Sequence, residues 1–107
     1  MQIIPLQPFP SQTIQTVLDG DQFQIAVYQK MTGVFVDISV NGVLTNAAVL
    51  AVNGVPLMIA YWKTPPGNLL FVDTQGQDDP EYTGLGARFQ LAYLTADEYL
   101  SMFPKRY

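Results

Sequence analysis

Apolar and polar residues alternate with period two through most of this chain, and glycine-bearing turns interrupt the alternation about every 8 to 12 residues. A strand points successive side chains to opposite faces, so the pattern specifies antiparallel strands that each bury one side. The clearest stretch sends Val34, Val36, Ile38 and Val40 inward and Phe35, Asp37 and Ser39 outward. Before it, Phe23, Ile25 and Val27 share one face while Gln22, Gln24 and Tyr28 take the other. Turns fall at Asp19-Gly20-Asp21 and Met31-Thr32-Gly33. Thr13 to Leu18 alternates weakly, Leu69 to Asp73 reads as a short strand, and Ala87 to Leu94 places Phe89, Leu91 and Tyr93 opposite Arg88, Gln90 and Ala92.

Asn41-Gly42 and Asn53-Gly54 are each the favoured dipeptide of a two-residue type I′ hairpin, because both central positions need positive φ. Such a turn fixes register. The first pairs Val40 with Val43, Ile38 with Thr45, Val36 with Ala47 and Val34 with Val49; the second pairs Val52 with Val55, Leu50 with Leu57 and Ala48 with Ile59. One face of the three strands then holds Val34, Val36, Ile38, Val40, Val43, Ala47, Val49, Met58 and Ala60 as core. The other starts polar at Asp37, Ser39 and Asn46 but turns apolar at Leu50, Leu57 and Ile59, a corner that something must cover.

Thr95-Ala96-Asp97-Glu98 has the spacing of a capping box, with Leu94 and Tyr99 placed as a hydrophobic staple, and Pro104 ends the helix after about two turns. At the other end, prolines at 5, 8 and 10 keep the chain extended. The expected architecture is all-β: a small antiparallel β-barrel or sandwich of about seven strands. An extended proline-rich arm covers residues 1–11, and a single domain with a short C-terminal helix covers 12–107.

A chain of 107 residues can bury roughly 65% of its surface, enough for one core without staples. Its 13% charged and 12% aromatic content argues for packing and against disorder. The absence of cysteine and histidine removes disulfides, Cys/His zinc sites, thiol nucleophiles and a Ser-His-Asp triad. The net charge of −4 and five scattered cations disfavour specific binding to nucleic acid, which needs clustered Lys and Arg. No apolar run reaches membrane-spanning length, and the first residues lack the cation and continuous apolar run of a secretory leader. A soluble protein made in the cytoplasm is expected, not one exported by signal peptide.

The most conspicuous polar segment is Asp73 to Gly86, DTQGQDDPEYTGLG, with four acids. Its spacing fails as a calcium-binding EF-hand loop, since Gly76 comes too early and no Glu closes the set. A turn at Asp73 to Gly76 followed by a proline-stiffened loop is the simpler reading. Carboxylate pairs among Asp73, Asp78, Asp79 and Glu81 have the residue types of a glycosidase, without a visible cleft. Gly84-Leu85-Gly86 lacks the third glycine of a phosphate-binding fingerprint and opens a strand, so it reads as a turn. Arg88 is the cation nearest these acids in sequence and is expected to pair with Asp73, Asp78 or Asp79, pinning the loop. No catalytic set, cofactor site or metal site emerges.

Three segments, MQIIPLQPFPSQT at the start, NGVPL at 53–57 and above all FVDTQGQDDPEYTGLGARFQLAYLT at 71–95, resemble the cyanophage-type baseplate plug family of contractile-tailed bacteriophages, with the similarity spanning nearly the whole chain. The resemblance implies a non-enzymatic structural subunit of the virion at the centre of the tail baseplate, contacting hub, tube and spike-region proteins, oligomeric within the assembly. It carries over no catalytic residues. The residues themselves nominate partner-binding positions: Ile3, Ile4, Leu6 and Phe9 on the arm; Leu50, Leu57 and Ile59 at the corner; and Trp62, Asp78, Asp79, Tyr82 and Arg88. An alternative from another class is a carbohydrate-binding module of a host-recognition device, using Tyr61, Trp62, Tyr82 and the acidic loop.

Overall fold

The computed structural model describes residues 2–57 and 67–102. Its strands are β1 (Gln2–Ile4), β2 (Ser11–Leu18), β3 (Asp21–Lys30), β4 (Gly33–Val40), β5 (Val43–Leu50), β6 (Asn68–Asp73) and β7 (Phe89–Leu94), followed by the helix α1 (Ala96–Met102). They form a four-stranded sheet in the order β2-β3-β4-β5 and a three-stranded sheet in the order β1-β7-β6, both antiparallel. The two sheets make a sandwich, not a closed barrel. Phe23, Ile25, Val27, Val34, Val36 and Ile38 from the larger sheet meet Ile4, Leu69, Phe71, Leu91 and Tyr93 from the smaller. Phe23 and Tyr93 join the layers edge to face, with ring centroids 5.9 Å apart.

Local turn chemistry explains the hairpins. Asp19 and Gly20 adopt φ of 57° and 82°, and Asn41 and Gly42 adopt 52° and 83°. Both pairs of angles fit a type I′ turn, whose twist suits adjacent antiparallel strands. Leu18 therefore pairs with Asp21, and Val40 with Val43.

Beyond that turn the expected register fails. Ile38 pairs with Asn46 instead of Thr45, and Val36 pairs with Val49 instead of Ala47, because two one-residue slips occur in β5. Asp37 explains part of the irregularity: its Oδ1 accepts the Ala48 amide at 2.6 Å, and Ala48 sits at φ 52°. An extra residue inverts which side chains face inward. Asn46 is consequently buried and Ala47 exposed, the reverse of the expected placement. Val43 pairs with Val40 as expected but lies 64% exposed on the outermost strand of its sheet.

Asn53-Gly54 also departs from its expected role. Gly54 has φ 72°, but Asn53 has no positive φ, so the turn closed by Val55 N–H donating to Val52 O is not type I′. Its partners are distant in sequence. Gly54 N–H donates to Phe71 O and Leu57 N–H to Leu69 O, both at 2.8 Å, so the chain leaves β5 and runs along β6. The pairing of Leu50 with Leu57 does not form: Leu57 is buried in the core and Leu50 is 45% exposed. The expected contacts of Met58, Ile59, Ala60, Tyr61 and Trp62 lie outside the described residues.

The N-terminal segment contributes β1, which pairs Gln2 with Tyr93, Ile3 with Ala92 and Ile4 with Leu91. Ile4 and Leu6 are buried in the chain's own core, which corrects their expected role as contacts for a partner. Gly86 permits this seat, since a Cβ there would collide with the Leu6 carbonyl. The Gln12 side chain clamps the segment further, donating to Gln7 O at 2.6 Å and accepting Gln7 N–H at 3.0 Å.

On its other face the smaller sheet buries Leu70, Ala92 and Leu94 under Tyr99 of α1. The capping box forms as its spacing predicts: Thr95 N–H donates to Glu98 Oε1 at 3.1 Å, and Glu98 N–H reaches Thr95 Oγ1 at 3.4 Å.

Candidate functional site

The segment between β6 and β7 is built around one carboxylate. Asp73, the last residue of β6, accepts Arg88 Nε–H on Oδ1 and Arg88 Nη2–H on Oδ2, each at 2.8 Å. Arg88 immediately precedes β7, so the pair bridges the two ends of the loop. The same two oxygens accept the amides of Gln75 at 2.9 Å and Asp78 at 2.8 Å, while Arg88 Nη2 also donates to Asp78 Oδ2 at 2.7 Å. A two-pronged Arg–carboxylate pair fixes orientation as well as distance.

The electrostatics follow from this geometry. Hydrogen bonding from the Arg88 guanidinium, opposed by desolvation and aided by two backbone amides, holds the Asp73 carboxyl well below the usual carboxylate range. Hydrogen bonding to Asp73 and then Asp78 raises Arg88 in turn. The expectation that Arg88 pins the loop is met by Asp73 and Asp78, not by Asp79. Asp79 instead accepts the Asn53 amide at 3.1 Å, and Asn53 Oδ1 accepts Asp73 N–H at 2.9 Å. Two loops remote in sequence are thereby tied together.

Past the clamp, Tyr82–Gly84 form a short 3-10 turn. Tyr82 packs against the core and its amide donates to Gln29 Oε1 at 3.1 Å, so it is a half-buried anchor and not a free stacking platform. Asp78, Asp79, Glu81, Thr83 and Arg88 rim an open depression of about 450 Å³ floored by Phe89. Among the described residues no cluster of three or more His, Cys, Asp or Glu side chains has the arrangement to hold a metal ion.

The nominated positions are thus dispersed. Ile3 and Phe9 remain outward at 48% and 54% exposure, Leu50 faces solvent elsewhere, and Ile4, Leu6 and Leu57 belong to the interior. Asp78, Asp79, Tyr82 and Arg88 are gathered in the loop between β6 and β7. Ile59 and Trp62 lie outside the described residues. Sequence reasoning missed Val17, Met31, Leu44 and Val55, all exposed. Met31 had a local signal, the tip of a tight hairpin between two long strands.

Comparison with protein families places this chain among the structural components of a phage tail baseplate. The model that matches, over residues 1–97, is that of the cyanophage baseplate Pam3 plug gp18, and the chain belongs to this family. A search of curated proteins finds no match.

Proposed function

We propose that this protein is the central plug of a contractile-tail baseplate, working by shape through contacts with hub and tube proteins and without catalysis. The observation that carries the reading is the family match across 97 of its 107 residues, from β1 through β7 to the start of α1. The molecule supplies suitable means. Ile3 and Phe9 stand outward on a segment whose neighbours Ile4 and Leu6 are locked into the core, so apolar contacts are presented on a rigid base. The loop held by Arg88 and Asp73 offers Asp79 and Glu81 on a fixed backbone. Synthesis in the host cytoplasm and incorporation into the tail complete the reading.

Because Ile4 and Leu6 are core residues, removing the whole arm would test folding as much as docking. The double variant Ile3→Asp/Phe9→Asp separates them. It should remain folded by circular dichroism yet fail to co-purify with co-expressed hub and tube proteins. Normal incorporation of this variant into baseplates would refute the proposed role of the arm, and failure of the wild-type chain to associate with either protein would refute the plug reading.

A further inference from the structure

Each sheet ends in two outer strands, and three of the four are blunted against further pairing. β5 carries two register slips and a left-handed residue, Ala48 at φ 52°. β6 is taken up by the Gly54 and Leu57 amides, which donate to Phe71 O and Leu69 O. β1 is three residues long and runs into Pro5. Bulges, covering segments, shortness and proline are the devices by which native sheets keep an edge from joining another chain.

β2 has none of them. Its eight residues, Ser11–Leu18, hold an unbroken register against β3 and include no proline and no charge. The bond from Gln29 N–H to Pro10 O fixes the parity of that ladder. Bonded and non-bonded pairs alternate between antiparallel strands, so Gln12, Ile14, Thr16 and Leu18 bond to β3 while Ser11, Thr13, Gln15 and Val17 turn N–H and C=O away from it. Among the described residues no hydrogen bond reaches these outward groups. The side of the sandwich is open at the same strand. Phe23, Ile25 and Val27 on β3 are buried, whereas Gln12, Ile14 and Thr16 on β2 are only half-buried, although Ile14 packs against the core. An extended strand laid along β2 would satisfy the outward backbone groups and cover Ile14 at once.

The occupant with a built-in fit is β2 itself. We infer that two copies of this chain join β2 to β2, antiparallel about a two-fold axis through Ile14, into one eight-stranded sheet. Of the two-fold registers, that one alone engages all four outward residues: Ser11 opposes Val17 and Thr13 opposes Gln15, in both directions, for about eight main-chain hydrogen bonds against the ~10 of an ordinary interface. Ile14 then faces its own copy in a non-hydrogen-bonded pair, where side chains come closest, and closes the open side of each core. Because β2 is uncharged, the axis sets no like charges opposite one another along the paired strands. The pairing is a property of the free chain and needs no part of the plug reading.

Sedimentation of the full chain from about 1 µM to about 1 mM, joined to cysteine trapping, tests this. The wild type should pass from monomer toward dimer across that range. Gln15→Pro should keep its circular dichroism, because the Gln15 N–H takes no part in the β2–β3 ladder, and should weaken pairing about tenfold or more. The chain has no cysteine of its own, so single substitutions report the register. Ile14→Cys should form an intermolecular disulfide under mild oxidation, since the Cα atoms of such a pair lie about 4.5 Å apart, within disulfide range. Val17→Cys should not, although Val17 is 63% exposed, because in this register it lies about 20 Å from its own copy. A wild-type monomer at the highest concentration overturns the inference, even if the edge then accepts a strand from another protein. So does a dimer that Gln15→Pro leaves intact, or one that crosslinks through Val17→Cys as readily as through Ile14→Cys.

Discussion

Asp73 shows how a single residue organises a loop that has no regular structure of its own. Four donors converge on its two oxygens, from Arg88 and from the amides of Gln75 and Asp78. All favour the ionised form, so its folded pKa lies below the ordinary value near 3.9. A depressed folded pKa gives stability that is complete above the unfolded pKa and lost as pH falls through the folded one. The wild type should hold its melting temperature from neutrality to about pH 4 and lose it progressively below. Asp73→Asn should melt lower at neutral pH, with the gap to wild type closing as acid is added; parallel acid limbs would contradict the assignment. Tyr93 makes the opposite case. Burial, then the nearby Asp19 carboxylate that accepts its hydroxyl at 3.2 Å, raise its pKa. A raised folded pKa gives stability that is full below the unfolded value near 10 and erodes as pH climbs past it. Tyr93→Phe should therefore flatten the alkaline limb of a melting curve measured from pH 8 to 12.

At the scale of elements, what could be read from the chain divides by how far away the deciding partner lies. The Asn41-Gly42 turn and the Thr95 cap were legible because each closes on residues within four positions: the turn forms its expected closing pair, Val40 with Val43, though not the pairs beyond it, and the cap forms as its spacing predicts. Asn53-Gly54 carries the same dipeptide as the first hairpin but answers to Phe71 and Asp73, some twenty residues on, so the same local signal yields a different turn. The slip in β5 rests on Asp37 capturing the Ala48 amide, a choice that no periodicity announces. Within the loop, Arg88 was legible as the clamp because it is the cation nearest four acids in sequence, whereas which acids it would take depended on the fold. The arm was misjudged for the same reason: Ile4 and Leu6 looked spare until Gly86 provided the gap that seats them. Gly86→Ala tests that account. Its φ of 81° and the blocked Leu6 carbonyl should together cost about 1–3 kcal/mol in denaturant melts. Amide exchange at Ile4 should rise more than exchange in β3. Uniform acceleration across the sandwich would mean that Gly86 serves the global fold and not the seat of β1.

For the molecule as a whole, the two sheets share one main interior, and apart from it the smaller sheet has, among the described residues, only the minor cluster of Leu70, Ala92 and Leu94 under α1. The three-stranded sheet draws its strands from both ends of the chain, with β1 lying beside β7, and the four-stranded sheet is built from the residues between. Closing such a topology requires contacts between distant residues before most of the burial is gained, which slows folding into the millisecond-to-second range expected of β-sandwiches. Phe23 is the test of this coupling, being fully buried on β3 and set edge to face against Tyr93 on β7. Phe23→Ala should cost about 3–5 kcal/mol, a large share of the stability of a domain this size. If one core serves both sheets, urea unfolding followed by tyrosine fluorescence and by backbone circular dichroism should shift together to a lower midpoint and remain superimposable. Transitions that separate by probe would show one sheet outlasting the other, and would contradict a single interior shared by both.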